Sequence, residues 1–323
     1  MPDSLTRSLL IAHQLAEGFG EAIRPALPAG AQVLGLPRAA AWQPPEEASV
    51  LVAVPPRAGN AVLPKEKPDG WPWQLKWLHA VSAGVDEFPR WIFEVPRVTC
   101  GRGTNSVAIA EFVLAGMLAV EKRLPESWIR SAVDWRPRPG LGTLQGKTLG
   151  LLGFGSIGQA IAERARAFGM RITAFRRGND GAGSPDGVRF ENLDRVLATA
   201  DHLVIALPLT PATAGLIGPA AFARVKPGVH LVNIARGRIL DHDALLKAFE
   251  KGQVGFATLD VTEPEPLPEG HPLYTHPRVH LSPHISWSGG GGQTAQHALF
   301  AENLRRFLAG GELINLVQPE RGY

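Results

Sequence analysis

The sequence predicts an α/β protein of two domains, each a parallel sheet with flanking helices. Three observations support this fold class. The chain has 323 residues, more than one compact core usually organises. Short runs that are apolar throughout alternate with stretches of helical periodicity, a pattern typical of parallel sheets covered on both faces. The hydrophobic and charged shares, 45% and 20%, are those of an ordinary globular protein.

The first domain is predicted from the segment that ends near residue 100. Apolar runs over residues 9–15, 50–54 and 75–81 alternate there with loops rich in proline and tryptophan. From Ser106 onward the apolar spacing becomes that of a long helix, which we expect to bridge into a second domain. The apolar positions of this helix are Val107, Ala110, Leu114, Met117 and Leu118.

The second domain is predicted from a regular succession of apolar strand, turn and amphipathic helix that begins at Lys147. The expected strands cover residues 149–152, 172–175, 203–207, 231–233, 256–260 and 279–281. After a glycine-rich hinge candidate at 288–292, a last helix over 301–308 has no strand to follow it, so we expect it to fold back onto the first domain. The predicted boundaries are 1–103 with 288–323, and 104–287.

Composition and charge exclude several classes of protein. A net charge of +3 and dispersed Lys and Arg residues argue against nucleic-acid binding, and no apolar run approaches the roughly 20 residues of a membrane span. Cys100 is the only cysteine, which excludes an internal disulfide and a cysteine-built metal site and favours a reducing cytoplasm. His276, His280 and His284 recur every four residues, but prolines between them break any helix that could align them on a metal.

A glycine-rich turn is the first candidate binding site. Gly153, Gly155 and Gly158 follow an apolar strand and open a helix, with Ser156 and Ile157 between them. Glycines at this spacing permit a tight turn, close approach of the backbone to a pyrophosphate, and close packing of helix on strand. Because strand and helix are both expected in place, the turn predicts dinucleotide binding. The predicted buried face of the helix is Ile157, Ala160, Ile161, Ala165 and Phe168.

The end of the next strand indicates which dinucleotide is bound. NAD-binding chains usually carry Asp or Glu about 20 residues after the glycines, whereas this sequence has Arg176 and Arg177. Guanidinium groups suit bidentate phosphate binding, so the two arginines predict that NADP is preferred through its 2′-phosphate. The alternative is that both are solvated surface charges and that NAD serves equally well.

Three later segments place chemically capable side chains at or just after strand ends, where ligands of open α/β sheets bind. They are residues 232–237, with Arg236; 259–266, with Asp260 and Glu265; and 282–286, with His284. Together with the glycine turn, these blocks resemble the D-isomer-specific 2-hydroxyacid dehydrogenase family. The resemblance extends to residues 82–86, 110–111, Asn315 and 321–323, and so covers nearly the whole chain.

The resemblance implies a fold and an assembly. The expected fold is a split, flavodoxin-like substrate domain built from both ends of the chain, with an inserted Rossmann nucleotide-binding domain and an active-site cleft between them. It also implies a homodimer held through the nucleotide domains. Three features point within the family towards glyoxylate and hydroxypyruvate reductases, which act on small 2-oxo acids. They are the absence of a further domain after Tyr323, a glutamate at 265 and the arginines at 176 and 177.

The chemistry of 2-oxo acid reduction suits these residues. Arg236 can clamp the carboxylate and point an N–H at the ketone, which Lys does poorly. His284 can act as general acid near neutral pH, and by resemblance Glu265 orients its ring and favours its charged form. By resemblance as well, backbone amides of Ala83 and Gly84 hold the carboxylate. The family further implies contacts of nicotinamide with Asp260, Leu207, Ile234 and Ala235.

Some positions depart from the family pattern or leave two interpretations open. Gly101 stands where a threonine is usual at the domain crossing, which weakens any cofactor contact expected there. Trp287 either caps the substrate pocket and favours short substrates or packs in the hinge. Trp135 either reaches the active site of a partner subunit or packs at the dimer interface. A second function is also compatible with the scaffold, a nucleotide-sensing binding module of the co-repressor type.

Overall fold

A computed structural model describes residues 9–37, 40, 42–55, 66–136, 140–176 and 187–320. The chain divides into two compact units: Met1–Thr104 with Gly290–Tyr323, and Asn105–Gly289. Each unit contains one parallel sheet with helices packed on it, which confirms the predicted fold class. The helices are α1 (Phe19–Ile23), α2 (Ser106–Lys122), α3 (Ser156–Ala167), α4 (Leu193–Thr199), α5 (Pro219–Phe222), α6 (His242–Glu250) and α7 (Gly292–Leu308).

The first unit has a five-stranded sheet in the order β2-β1-β3-β4-β5, and every neighbouring pair is parallel. Its strands are β1 (Leu10–His13), β2 (Gln32–Gly35), β3 (Val50–Ala53), β4 (Trp77–Ala80) and β5 (Val98–Cys100). All of these except β2 are fully buried. Strands buried on both faces are rich in apolar residues, and the few polar side chains of these strands, His13, His79 and Thr99, are buried with them.

Helix α7 covers one face of this first sheet. Phe300 of α7 stacks on Trp77 of β4, with ring centroids 4.9 Å apart and planes 11° from parallel. Leu304 and Phe307 join the same core cluster. The last helix of the chain therefore packs on the unit that is formed by the first 104 residues.

The second unit has a seven-stranded parallel sheet in the order β12-β11-β10-β9-β6-β7-β8. Its strands are β6 (Thr148–Leu152), β7 (Arg171–Phe175), β8 (Val188–Phe190), β9 (His202–Ile205), β10 (Val229–Asn233), β11 (Val254–Leu259) and β12 (Val279–Leu281). Helices α2 and α3 pack on one face, and α4, α5 and α6 pack on the other. The strand order reverses between β6 and β9, so the crevice for a ligand is expected at the carboxyl ends of these two strands.

Short strands and one helix face differ from what the sequence predicts. Strands β2, β5 and β8, of three or four residues each, are not among the strands that the sequence predicts. On α3 the predicted burial of Phe168 is wrong, because this side chain follows the last helical residue and is 41% exposed. Ala162 is buried in the helix instead.

Within the described ranges, no helix is long and apolar enough to cross a bilayer. The same residues contain no group of three His, Cys, Asp or Glu side chains arranged to hold a metal ion.

Candidate active site

The glycine turn joins β6 to α3 and uses its three glycines in different ways. Gly153 has φ +103°, and a Cβ atom there would lie 2.4 Å from the carbonyl oxygen of Ala206, just after β9. A Cβ at Gly158 would lie 2.5 Å from the carbonyl oxygen of Gly153. These two positions therefore need glycine for the turn and for close packing of α3 against it.

Gly155 has a different environment, which fits the binding of a phosphate group. Among the described residues, no heavy atom beyond those of its two chain neighbours would lie within 4 Å of a Cβ at this residue. Gly155 is also the N-cap of α3, and no side chain caps the helix there. The amides of Ser156, Ile157 and Gly158 form the first turn of α3, where backbone N–H groups and the helix dipole attract anions. The open side of the turn thus leaves room for a pyrophosphate.

Arg176 follows the last residue of β7. Its guanidinium carbon lies 4.1 Å from the centroid of the Phe190 ring at the end of β8. The Nε atom is buried and has no hydrogen-bond partner within the described part of the chain. Arg177, the second residue of the predicted phosphate site, lies outside the described residues.

The loop after β10 is fixed by a buried amide side chain. Asn233 accepts a hydrogen bond from the Ala235 N–H at 3.1 Å and donates one to the Arg236 carbonyl oxygen at 3.0 Å. Ile234 and Ala235 are buried, whereas Arg236 is half-buried and its Nη1 donates to the Ala235 carbonyl oxygen at 2.8 Å. The side chain of Asn233 therefore sets the course of the backbone that presents Arg236.

The Arg236 loop packs directly on the loop that carries Glu265. A Cβ at Gly237 would lie 2.0 Å from the carbonyl carbon and oxygen of Thr262, so only glycine fits between the two segments. Thr262 in turn donates its backbone N–H to Glu265 Oε1 at 3.0 Å. The two loops are thus held in one arrangement.

Glu265 and His284 form the central contact of the candidate site. Glu265 Oε2 lies 2.9 Å from His284 Nδ1, and both side chains are mostly shielded from solvent. Because Oε1 accepts from Thr262, the carboxylate is oriented on both of its oxygens. His284 itself has φ +55°, an unusual backbone conformation for a residue with a Cβ. Such outliers cluster at functional sites, where the surrounding structure holds them in place.

Asp260 organises the loop that carries His284. Its side chain is 1% exposed, and its Oδ1 accepts from Ser282 Oγ at 2.6 Å and from the Ile285 N–H at 2.9 Å. Oδ2 accepts from the Ser286 N–H at 2.9 Å, and the Asp260 carbonyl oxygen accepts from the His284 N–H at 2.9 Å. The expected contact of Asp260 with nicotinamide stays a prediction.

Sequence reasoning missed these positioning roles of Asn233 and Asp260. The available signal was a polar side chain at the end of an apolar strand or directly after it, and the structure buries both side chains almost completely. Their partners are backbone groups of the following loops and the Ser282 hydroxyl, which the sequence alone does not identify.

Trp287 and Leu207 lie at the margins of this site. The indole Nε1 of Trp287 donates to the His284 carbonyl oxygen at 2.7 Å, while the side chain remains 49% exposed. Leu207 follows β9, close to the backbone that Gly153 touches, and packs partly buried on the core beside α4, α5 and α6. Both positions are compatible with the predicted pocket. The contact of Trp287 with substrate and that of Leu207 with nicotinamide stay predictions.

The first unit carries the remaining predicted residues. Ala83 is exposed and Gly84 half-buried in the bend that follows β4. Ser82 Oγ donates to the Gly84 carbonyl oxygen at 2.6 Å, and the Ser82 carbonyl oxygen accepts from the Gly101 N–H at 2.9 Å. A Cβ at Gly101 would lie 2.1 Å from the Val81 carbonyl oxygen. Close packing of these two segments explains the glycine at 101.

Comparison with known proteins assigns the family. The model of the NAD-binding domain of D-isomer-specific 2-hydroxyacid dehydrogenases matches residues 114–286, more than half of the chain. The chain belongs to this dehydrogenase family. The matched range contains the glycine turn, Arg176, the Arg236 loop, Glu265 and His284.

Relatives within the dehydrogenase family include reductases of small 2-oxo acids. A glyoxylate reductase of Thermococcus gammatolerans is 38% identical over 223 residues, which are 66% of either chain. A glyoxylate/hydroxypyruvate reductase A of Serratia proteamaculans is 34% identical over 268 residues, 76% of this chain and 80% of the relative. A solved D-isomer-specific 2-hydroxyacid dehydrogenase of Xanthobacter autotrophicus Py2, in complex with NADPH and MES, superposes with a TM-score of 0.79 at 28% identity, covering 98% of this chain and 99% of the other.

Proposed function

We propose that this dehydrogenase reduces a small 2-oxo acid, such as glyoxylate or hydroxypyruvate, to the D-2-hydroxy acid and that it prefers NADPH. The observation that carries the proposal is the Glu265–His284 contact of 2.9 Å, held on a loop whose neighbour presents Arg236. Reduction of a 2-oxo acid requires a proton donor and an anion clamp, and the carboxylate-oriented imidazole of His284 and the guanidinium of Arg236 are proposed to supply them.

The proposed roles divide the reaction between three side chains. Arg236 binds the substrate carboxylate and directs one N–H towards the ketone oxygen. Glu265 holds Nδ1 of His284, so Nε2 is the nitrogen that delivers a proton to the ketone oxygen as C2 is reduced. The nicotinamide cofactor, when bound, supplies the hydride to C2. The backbone amides of Ala83 and Gly84 are proposed as a second carboxylate contact.

The cofactor proposal rests on the glycine turn and on Arg176. The space beside Gly155 and the uncapped start of α3 fit a pyrophosphate, and Asp260, Ile234, Ala235 and Leu207 are proposed to border the nicotinamide. Arg176 stands where a ribose-binding carboxylate is usual, which favours a 2′-phosphate. The NADPH-bound relative from Xanthobacter autotrophicus supports the same assignment.

Steady-state kinetics with a panel of substrates test the proposal directly. Glyoxylate, hydroxypyruvate, pyruvate and a branched 2-oxo acid are each reduced with NADPH and with NADH. We expect the highest kcat/KM for the short acids, because Trp287 is proposed to cap the pocket, and a preference for NADPH. A higher kcat/KM with NADH would remove the cofactor proposal, and a preference for the branched acid would remove the role of Trp287.

A homodimer is also proposed, on the basis of apolar side chains in the second unit. Trp128, Val133, Trp135 and Leu141 follow α2, and each is more than half exposed. Large apolar side chains that are exposed repeatedly within one segment favour an interface, since contiguous apolar surface typically marks one. Sedimentation velocity of the intact protein against Val133→Asp tests the assignment, and a monomeric parent would contradict it. The localisation expected from the sequence is the cytoplasm.

The nucleotide-sensing module is the second candidate function. The same scaffold would bind the dinucleotide without turnover, so the two functions differ in NADPH oxidation with glyoxylate. The oriented Glu265–His284 pair favours the enzyme, because a sensor has no need for a positioned proton donor.

A further inference from the structure

Phe190 connects two parts of the proposed cofactor site that are far apart in sequence. Its ring meets the ring of Phe154, the second residue of the glycine turn, edge to face with centroids 5.2 Å apart. The same ring lies 4.1 Å from the guanidinium carbon of Arg176. One aromatic side chain thus contacts both the turn proposed for the pyrophosphate and the arginine proposed for the 2′-phosphate.

The position of Phe190 follows from the sheet. Strand β8 pairs in parallel with β7, with Phe190 opposite Ala174, two residues before Arg176. Asn192 then caps α4 by accepting the Arg195 N–H at 2.9 Å, which ends the strand just beyond Phe190. The aromatic ring is therefore supported by regular structure on both sides.

A guanidinium stacked on an aromatic ring gains cation–π attraction and loses side-chain freedom before any ligand arrives. Arg176 has a buried Nε without a hydrogen-bond partner in the described residues, so packing against Phe190 is the contact that the structure shows for this side chain. A buried donor without a partner is costly, and an anionic oxygen bound nearby would reduce that cost.

We propose that Phe190 is a specificity-determining residue, which positions Arg176 for the 2′-phosphate of NADPH and thereby sets the cofactor preference. The inference rests on the proposed preference for NADPH. It assigns the discrimination to an aromatic side chain at the end of β8 in addition to the arginine itself.

Binding of two cofactor fragments separates this role from a purely structural one. Calorimetry measures the Kd of 2′,5′-ADP, which carries the 2′-phosphate, and of 5′-AMP, which lacks it. In Phe190→Leu, which keeps an apolar side chain against Phe154, we expect the Kd of 2′,5′-ADP to rise roughly 2- to 30-fold, the range that a lost cation–π contact covers. The Kd of 5′-AMP should stay within about twofold.

Two further variants serve as controls. Phe190→Tyr keeps the aromatic face and should retain the parent Kd for 2′,5′-ADP, with thermal unfolding recorded for every variant. In an Arg176→Ala background, Phe190→Leu should cause no further rise, because the two residues act through one contact.

Each result has a defined meaning. Equal weakening of both fragments in Phe190→Leu, or additive effects in the double variant, would show that Phe190 only supports the fold and would overturn the inference alone. A parent enzyme that binds 2′,5′-ADP no more tightly than 5′-AMP would overturn both the NADPH preference and the inference. The two failures are therefore distinguishable.

Discussion

The Glu265 carboxylate meets His284 through Nδ1 and is itself held by the Thr262 amide. Glu265 is thus proposed as a positioning residue, because it would act on the substrate through the imidazole. By holding Nδ1 it leaves Nε2 as the nitrogen proposed to donate a proton to the ketone oxygen.

Glu265→Gln should lower kcat of reduction more than it changes KM. The substitution removes the hydrogen bond that the charged carboxylate makes to His284 Nδ1, whose loss costs about 1.5–3 kcal/mol, or roughly 10- to 150-fold in kcat. Steady-state kinetics at one fixed pH, with kcat and KM determined separately, measure this difference. Glu263→Gln, which changes a carboxylate two residues away, serves as the matched control. A kcat near that of the parent would contradict the role of Glu265.

Arg236→Lys should lower activity although the positive charge is kept. Lysine cannot reproduce the planar fork, and the loss of a charge-assisted hydrogen bond costs about 1.5–3 kcal/mol, or roughly 10- to 150-fold in kcat/KM. Because the contact is proposed to serve both binding and ketone polarisation, KM should rise while kcat falls.

The exposed Arg238, two residues away, offers a control for this substitution. Arg238→Lys is expected to leave both constants near those of the parent. Near-parent activity in Arg236→Lys would instead mean that the carboxylate clamp lies elsewhere.

At the scale of an element, the glycine turn contains one glycine that the fold requires, Gly153, and one that cofactor binding is proposed to require, Gly155. Gly153→Ala places a Cβ at a residue with φ +103° and only 2.4 Å from a carbonyl oxygen. We expect a loss of at least about 2 kcal/mol, which lowers Tm by roughly 4–8 °C in a unit of this size. Differential scanning calorimetry checks this value.

Gly155→Ala is the matched comparison at the same turn. In the part of the chain that the structure describes, no heavy atom outside the two neighbouring residues lies within 4 Å of the added methyl group, so Tm should stay within about 2 °C of the parent. The methyl group would occupy the space proposed for the pyrophosphate, so the Kd for NADPH should rise at least about tenfold. Unchanged NADPH binding in Gly155→Ala would contradict the assignment of this turn.

The elements also show which parts of the molecule the sequence can predict. Long apolar strands and the glycine turn have local signatures, and the sheet order around β6 follows from parallel connections between them. Strands β2 and β8 have no such local signature. They are short strands at the sheet edges and are stabilised by pairing with β1 and β7. A weak local pattern was in these cases overridden by tertiary pairing.

The candidate site divides in the same way. Arg236 and His284 could be selected because rare, chemically capable side chains follow strand ends. The bonds of Asn233 and Asp260 to backbone amides and the contact of Phe190 with Arg176 depend on loop conformation and strand register. These are three-dimensional relations between distant segments, and one sequence does not determine them.

For the whole molecule, buried neutral histidines link stability to pH. His79 on β4 is fully buried, and burial lowers its pKa from 6.5 to about 4. In the second unit, burial lowers the pKa of His230 well below its ordinary value, and nearby His202, His280 and Lys147 contribute in the same direction. Both histidines are therefore expected to be neutral in the folded protein near pH 7.

His79 offers the clearest test of this linkage. The unfolded chain takes up a proton at the ordinary pKa of 6.5, whereas the folded chain resists it until about pH 4. Protons therefore bind preferentially to the unfolded state in this window, so stability falls as the pH drops from 6.5 towards 4. The full gap between the two pKa values corresponds to about 3 kcal/mol at pH 4 and below.

His79→Leu should flatten this pH dependence. Thr99 Oγ1 keeps the hydrogen bond from Trp77 Nε1 at 2.8 Å, so the substitution removes the titrating group and spares that neighbouring bond. Urea unfolding at pH 7, 6, 5 and 4, followed by tryptophan fluorescence, measures the free energy of unfolding. Five of the eight tryptophans lie in the first unit, so the signal chiefly reports on the sheet that contains His79.

The partly exposed His297 provides the control, because His297→Leu removes a histidine without removing the fully buried one. If His79→Leu lost stability between pH 7 and 4 as steeply as the parent and the control, acid sensitivity of the first unit would have to come from other groups.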